Sequence, residues 1–422
     1  MNDHPALSNP RFFYGWFVVM AAFAVTFFGF GSAYTFSAFV EPLQRDFGAS
    51  RGSVSLVFSL AGFLYFGLGI VSGPLADRFG SRRLAVAGMM LTGLGLAVAS
   101  AARSLLEVYV AYGLGVGLGV GCAYVPAIGA VQRWFVRRRG FASGLAVSGI
   151  GVGTLVMPPL ASLLIEMLGW RGAYLVLGGL AAVIGAGLAL LIEDDPCGRG
   201  LGPDGDQPSD ASPAQREGMS VRDAVRSRRF VGLYASCLIC SFGVFVPFVH
   251  LVPYARDHGV APASAVLLLG VIGVGSTAGR FFLGGLADRI GRPVSLMLMF
   301  VGMALALLTW AVSVEIWSLT AFAFLYGVFY GGWVAVLPAV VMDYFGGRNV
   351  SSIIGLLYTS VAFGTLVGPS AAGFAFDLNH SYTLPIMVSA GANIVAAVVV
   401  AAMSGATFRQ KLDDRPASRR LR

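Results

Sequence analysis

Twelve long apolar runs constrain the fold of this 422-residue chain more than any other feature of its sequence. Each has roughly 20 residues or more, enough for an α-helix to cross a bilayer core of about 30 Å. The period-2 alternation of membrane β-strands is absent. We therefore predict an all-α membrane protein with twelve transmembrane helices. The runs are 14–42, 53–75, 84–101, 105–135, 141–168, 173–192, 230–254, 263–286, 294–312, 316–345, 350–376 and 382–406.

The composition supports the same class. Hydrophobic residues make up 56% of the chain and charged residues only 12%, and the mean hydropathy is +0.76. A soluble globular domain needs more polar surface than this. The first run is too long for the apolar region of a cleavable signal and lacks a small-residue cleavage site. We expect an integral, multi-pass membrane protein in contact with the lipid bilayer.

The distribution of Lys and Arg predicts the orientation. With the N-terminus inside, 23 of the 29 basic residues fall in cytoplasmic segments and 5 in outer loops, and the last is Arg280. The positive-inside rule predicts that both termini are in the cytoplasm. We expect the protein itself in the plasma (inner) membrane. The net charge of +8 therefore reflects topology and not nucleic-acid binding. With only four cysteines, the sequence supports neither a metal site nor a disulfide framework.

An internal repeat divides the chain in two. The sequence LADRFG at 75–80 recurs as LADRIG at 286–291, and GTLVMP at 153–158 recurs as GTLVGP at 364–369, both at an offset of 211 residues. Parallel repeats of this kind occur in transporters that bind substrate between their two halves. The interpretation is two pseudo-symmetric six-helix bundles. The predicted domains are 1–192 and 229–406, with a cytoplasmic linker at 193–228 and a basic cytoplasmic tail at 407–422.

One charged residue, Arg280, lies well inside an apolar run, whereas the other charged residues within the run bounds lie at the run ends. Arg280 follows 14 residues after Val266, and a guanidinium does not lose its proton at that depth. It needs an anion or a wet cavity, so we predict that Arg280 anchors an anionic substrate. The alternative is snorkelling towards Asp288, eight residues or about 12 Å further along the helix.

The loop after the second run resembles a known signature. Residues 73–83, GPLADRFGSRR, look like the loop between helices 2 and 3 of the major facilitator superfamily, and 285–292 look like its second-half copy. The resemblance implies that Asp77 caps the start of helix 11 and pairs with Arg133 or Arg137 as a conformational latch. A carboxylate at a helix N-terminus is favourable. The alternative is a solvated turn that only sets topology. The other latch residues in the two copies are Arg78, Asp288 and Arg289.

Further motifs narrow the resemblance. Residues 14–16, YGW, and 134–146, WFVRRRGFASGLA, look like the monocarboxylate transporter family and its bacterial relatives, the oxalate-formate antiporters. Tyr358 and Thr359 in the eleventh run look like the bacterial branch. The resemblance implies that Arg280 binds the substrate carboxylate. It also brings in Leu145, which belongs to the matched motif and could set pocket size.

The departures from the family are also informative. Animal members carry an aspartate four residues before the arginine and a lysine in helix 1, where this chain has Ser276 and Tyr34. Their proton relay is therefore not copied. Oxalate antiporters carry a second cation in helix 11, where this chain has Val361. A single buried guanidinium balances one carboxylate, and an uncompensated second charge would cost several kcal/mol. The sequence favours a monoanion.

Polar residues on several runs are candidates for the rest of the site. Ser276 lies one helical turn before Arg280, on the same face. Four tyrosines place a phenol inside an apolar run, where the hydroxyl needs a partner, either a neighbouring helix or the substrate. They are Tyr34, Tyr124, Tyr330 and Tyr358. His250 is the only histidine within a run and is the candidate for proton coupling, although a packed neutral imidazole fits equally well.

Together these features predict a secondary transporter of small monocarboxylates such as lactate or pyruvate, most simply by proton symport with alternating access. The alternative is anion exchange of the oxalate-formate type; a non-transporting substrate sensor is a third candidate. An enzyme is not expected, because neither HExxH nor GxSxG occurs within an apolar run; the one GxSxG of the chain, at 48–52, lies between the first two runs. The expected partners are a small carboxylate and a proton. No cofactor, nucleic acid or obligate protein partner is expected.

Overall fold

The structure is a computed structural model, and it describes residues 13–135, 138–194, 196–205, 218–346 and 350–413. Within these ranges it leaves out the side chains of residues 77, 139, 140, 197, 284, 285, 288, 342, 350, 351 and 404–413. The described part is helical apart from one isolated β-bridge, between Gly218 and Gly346.

The long helices are labelled α1 to α12 in chain order. They are α1 Gly15–Phe47, α2 Arg51–Gly67 with Gly69–Phe79, α3 Ser81–Ser100, α4 Leu105–Trp134, α5 residues 139–168, α6 residues 170–189, α7 Arg228–Asp257, α8 Pro262–Ile290, α9 Arg292–Ala311, α10 Ile316–Phe345, α11 Val350–Asn379 and α12 Thr383–Asp413.

These helices account for twelve membrane passes. By length and hydropathy, ten continuous helical segments of the described chain could span a membrane. One of them, Phe141–Ala189, has 49 residues and breaks at Gly169, where the backbone turns to φ 72° and ψ 170°. A left-handed φ favours glycine, so this residue separates two passes, α5 and α6. The remaining pass is α2, which bends by 42° between Gly67 and Gly69. The chain is a multi-pass membrane protein with the predicted number of helices.

Local sequence signals explain several helix ends. The Ser50 hydroxyl accepts a hydrogen bond from the Ser53 amide at the start of α2, and Ser104 and Ser227 cap α4 and α7 in the same way. Gly48 ends α1 in the left-handed conformation, at φ 59°. Pro262 begins α8, where its missing amide hydrogen costs nothing.

The helices pack first within each half and then across the two halves. In the first half α1 packs on α5 and α3 on α4, while in the second half α8 packs on α10 and α9 on α12. The halves meet mainly along two pairs, α2 with α11 and α5 with α8. Large apolar side chains point outwards over the surface, for example Phe282 and Val183, which are 77% and 73% exposed. That surface suits contact with lipid chains.

Candidate functional site

Arg280 is buried between the two halves and does not snorkel. Only 6% of the residue is exposed. Its Nη1 donates a 2.9 Å hydrogen bond to the carbonyl oxygen of Val147 on α5, in the other half. Its Nε and Nη2 are buried and have no hydrogen-bond partner in the described part of the chain. These two nitrogens share one edge of the guanidinium, the edge that binds a carboxylate through two parallel hydrogen bonds.

Two glycines on α10 determine where Arg280 lies. A Cβ atom added to Gly331 on α10 would lie 2.0 Å from the carbonyl oxygen of Ser276 on α8, and one added to Gly327 would lie 2.3 Å from that of Ile272. The two backbones are therefore in direct contact and run parallel, because both contacts advance by four residues. Arg280, four residues after Ser276, comes level with the stretch of α10 that follows Gly331.

A narrow aromatic cavity lies between the halves beside this contact. It is lined by Phe30, Tyr34, Phe66, Tyr124, Ile150, Phe245, Tyr330, Trp333, Val334, Leu337, Tyr358 and Val361. All four tyrosines proposed from the sequence line it, and Arg280 interacts electrostatically with each of them. The Tyr34 and Tyr330 hydroxyls are 3.1 Å apart and join α1 to α10. None of the residues that line the cavity is charged, so the nearby guanidinium dominates its electrostatics.

The structure adds Trp333, which the sequence reasoning missed. Trp333 lines the cavity and is only 3% exposed, and its indole N–H has no hydrogen-bond partner among the described residues. The Cys237 thiol on α7 interacts with it, but sulfur is a weak acceptor and the pair falls short of a hydrogen bond. An available signal was that Trp333 lies three residues after Tyr330 and therefore shares its helix face.

Of the predicted substrate-binding residues, Arg280 lies beside the cavity and not in its lining, and Ser276 and Leu145 also lie outside the lining. Ser276 is 3% exposed and its hydroxyl has no hydrogen-bond partner in the described chain, but its backbone faces Gly331. Leu145 is half-buried against the core of α5, and Ile150 lines the cavity from that helix. Ser276 and Leu145 stay candidates for contact with substrate only if the cavity widens.

His250 lies away from the cavity lining, in the seam between the halves. It is fully buried on α7, and its Nδ1 and Nε2 are 3.0 Å from the Tyr382 hydroxyl and 2.8 Å from the Pro369 carbonyl oxygen. The seam lies at the end of the bundle that holds the α1–α2 turn. We call this the outer end, following the predicted orientation. The contacts do not place His250 beside Arg280.

The latch remains a prediction. The side chains of Asp77 and Asp288 and the whole of Arg137 lie outside the described residues, while Arg78 and Arg289 are exposed. Arg133 forms a 3.2 Å ion pair with Asp194, at the end of the first half. Asp194 also accepts the backbone N–H of Ser81 through both carboxylate oxygens, at 2.9 and 3.0 Å, and so caps α3.

Next to this cap, Glu193 adds two further ion pairs. It pairs with Arg199 at 2.7 Å and with Arg82 at 3.2 Å. Hydrogen bonds from the Arg199 guanidinium hold the pKa of Glu193 below its usual range. The loop signature predicts Asp77 as the partner of Arg133, and nothing in the sequence pattern indicated these two acids just after α6.

Comparison with known proteins identifies the family. The sequence model of the Major Facilitator Superfamily matches residues 21–253 and 231–421. Monocarboxylate transporter 3 of Rattus norvegicus is 33% identical over 403 residues, which is 93% of this chain and 80% of that protein. Monocarboxylate transporter 12-B of Danio rerio is 31% identical over 412 residues, 92% of this chain and 86% of that protein.

A solved structure agrees on the fold. The crystal structure of a bacterial homologue of the human lysosomal transporter Spinster, in an inward-facing and unoccupied conformation, has a TM-score of 0.70 and 18% identity. The match covers 97% of this chain and 99% of that one, and at this identity it shows the fold alone. Taken with the two sequence relatives, the chain belongs to the monocarboxylate transporter family of the major facilitator superfamily.

Proposed function

We propose that this chain carries small monocarboxylate anions such as lactate or pyruvate across the membrane by alternating access, together with a proton. The observation that carries the proposal is the free Nε and Nη2 edge of the buried Arg280 guanidinium. A buried charge without a counter-ion is costly, and a carboxylate bound along this edge would supply the counter-ion. Because the third nitrogen bonds to Val147 in the other half, bound substrate would lie at the junction of the halves.

The absence of charge in the cavity lining favours a monoanion. A dicarboxylate such as oxalate would leave one charge uncompensated at a cost of several kcal/mol. This argues against the oxalate-formate type of exchange, which is the second candidate. Proton symport would make the overall movement electroneutral, since one anion and one proton cross together. The sensor hypothesis lacks a supporting observation in the described chain.

Orientation and location are part of the same proposal. We propose that the protein lies in the plasma (inner) membrane with both termini in the cytoplasm, on the basis of the excess of basic residues in the predicted inner segments. The domain limits at 192, 228 and 406 are proposed on the same sequence grounds. The latch between Asp77 and Arg133 or Arg137 is proposed to close the inner end in one conformation of the cycle.

A competition experiment tests the proposed substrate class. Purified protein in detergent would be incubated with labelled pyruvate and with unlabelled propionate, oxalate or pyruvamide. We expect propionate to compete and pyruvamide to fail, because the amide of pyruvamide is uncharged. Oxalate should compete at least about tenfold more weakly, which corresponds to a cost of 1.4 kcal/mol or more for its second charge. Oxalate binding as tight as pyruvate binding would instead favour the exchanger.

We further expect Trp333 to contribute a hydrogen bond to the substrate. Trp333→Phe keeps an aromatic ring in the cavity but removes the unpartnered N–H, so lactate binding measured by calorimetry should weaken about three- to tenfold, the effect of one hydrogen bond. Trp317→Phe is the matched control, because Trp317 lies on the same helix and is 81% exposed. Equal affinity in the Trp333 and Trp317 variants would remove Trp333 from the site.

A further inference from the structure

The seam around His250 is a chain of hydrogen bonds that crosses between the halves. Arg51, at the start of α2 in the first half, donates from Nη1 to the Tyr382 hydroxyl at 3.2 Å. Tyr382, in the second half, lies 3.0 Å from His250 Nδ1, and His250 Nε2 lies 2.8 Å from the carbonyl oxygen of Pro369. The Ser55 hydroxyl of the first half approaches the same Nε2 at 3.5 Å.

The chemistry of the partners fixes the direction of each hydrogen bond. A carbonyl oxygen only accepts, so His250 Nε2 must carry a hydrogen and donate to Pro369. In a neutral ring Nδ1 is then the acceptor, and Tyr382 donates to it while accepting from Arg51. This arrangement uses each of these donors and acceptors once with a neutral imidazole. A protonated Nδ1 would instead donate to Tyr382, and the Tyr382 hydrogen would have to turn away from the ring and lose the acceptor it has in this seam.

The surrounding charged groups already have ionic or hydrogen-bond partners, so they offer little compensation for a new charge. Arg51 binds both carboxylate oxygens of Asp257, at 2.5 and 2.7 Å, and its guanidinium lies 4.2 Å from the centre of the Phe376 ring. Asp377 on α11 accepts the backbone N–H groups of Arg51 and Gly52, at 3.1 and 2.9 Å.

The other charged groups at this end of α1 and α7 are ion-paired too: Glu41 on α1 pairs with Arg45 and with Arg256 on α7, and Asp46 on α1 pairs with Arg171. Two further histidines, His258 and His380, are exposed at this end. A charged imidazole would add a second cation beside Arg51, and Asp377, the nearby carboxylate without an ion pair in the described part of the chain, already binds two backbone N–H groups of α2. The seam contains ionic contacts from both halves, and charging its centre would weaken it.

We propose that His250 is a proton-binding site that controls the outer end of the transporter, with Tyr382 and Arg51 as its positioning residues. Neutral His250 holds the halves together at this end. When the end opens transiently, an external proton binds Nδ1 and prevents the seam from re-forming, so acid outside favours the outward-open state. The proton returns from Nδ1 to the external water before the seam closes again. The proposal rests on proton-coupled transport by alternating access, and it places this proton site away from the substrate anchor.

Distances between spin labels in reconstituted full-length protein test this without substrate. Labels at Leu106→Cys and Val312→Cys report on the two halves, because these residues are 68% and 82% exposed near the outer end. The pH would be lowered from about 8 to about 5.5, across the usual imidazole titration near 6.5. We expect the open-to-closed ratio to rise about tenfold, as a tenfold difference in proton affinity between the two states predicts. His250→Gln keeps one donor and one acceptor but does not titrate, so it should abolish the rise.

Two further variants keep the test decisive. His258→Gln removes a titratable histidine at the same end and should leave the rise intact. Tyr382→Phe removes the central hydroxyl and should open the outer end even at about pH 8, so it carries the test if His250→Gln does not assemble. A pH response that survives in His250→Gln, or a closed Tyr382→Phe protein, would overturn the proposal. Because no substrate is present, either result is independent of whether the chain carries monocarboxylates.

Discussion

Arg280→Ala abolishes measurable binding of lactate and pyruvate if the guanidinium is the carboxylate anchor. The free Nε and Nη2 groups make charge-assisted hydrogen bonds in that case, each with a net contribution of about 1.5–3 kcal/mol. Arg280→Lys keeps the charge but loses the planar two-donor edge. It should therefore lose one of the two hydrogen bonds, which weakens binding by about 1.5–3 kcal/mol, or roughly 10- to 150-fold. Calorimetric titration of purified protein measures both variants.

The Arg280→Ala variant also separates a substrate-binding role of Arg280 from a structural one. If Arg280 serves only to join α8 to Val147, its removal should lower the unfolding temperature of the ligand-free protein. If Arg280 is a binding residue that lacks its counter-ion in the ligand-free protein, alanine removes a buried, uncompensated charge. The unfolding temperature should then stay the same or rise. Arg103→Ala is the control, since that side chain is exposed in an outer loop. Unchanged substrate affinity in Arg280→Ala would contradict the anchor assignment.

The second large effect is expected at the contact between α8 and α10. In Gly331→Ala the new Cβ would lie 2.0 Å from the Ser276 carbonyl oxygen, so the two backbones must separate. That movement shifts Tyr330 and Trp333 relative to Arg280. We expect a loss of stability of about 1–3 kcal/mol, typical of overpacking, together with a loss of substrate binding.

Thermal unfolding and calorimetric titration of the same preparation measure these two effects. Gly391→Ala is the matched control in the same half, because a Cβ there meets no atom within 4 Å. It should bind substrate as the parent does. Normal substrate affinity in Gly331→Ala would show that the α8–α10 contact does not position the site.

The sequence predicted the parts of this protein that depend on short-range signals. Apolar runs of sufficient length gave the helices, and the repeat at an offset of 211 gave the two halves. The lone charge at Arg280 stood out because an ionised residue in an apolar run needs an explanation whatever the tertiary structure. The four tyrosines were found in the same way, as polar groups in apolar surroundings, and all four line the cavity.

Contacts between distant residues could not be predicted from one sequence. His250 stood out as the only histidine in a run, but its partners Tyr382 and Pro369 lie more than 100 residues away, and no spacing rule connects them. The pairing of Arg133 with Asp77 stays a prediction, and the 3.2 Å ion pair of Arg133 with Asp194, just after α6, was not foreseen. Trp333 was overlooked because an indole in an apolar run is ordinary, and only its unpartnered N–H makes it notable.

Flux of labelled acids into liposomes tests the central claim most directly. Parent and Arg280→Lys proteins would be reconstituted and given lactate, pyruvate, propionate and oxalate, with and without an inward proton gradient. We predict that the parent takes up the three monocarboxylates, that the gradient stimulates this uptake, and that Arg280→Lys lowers it. Uptake that does not depend on the proton gradient and requires an anion inside the vesicle would indicate anion exchange. The absence of any monocarboxylate flux through well-folded protein would contradict the account.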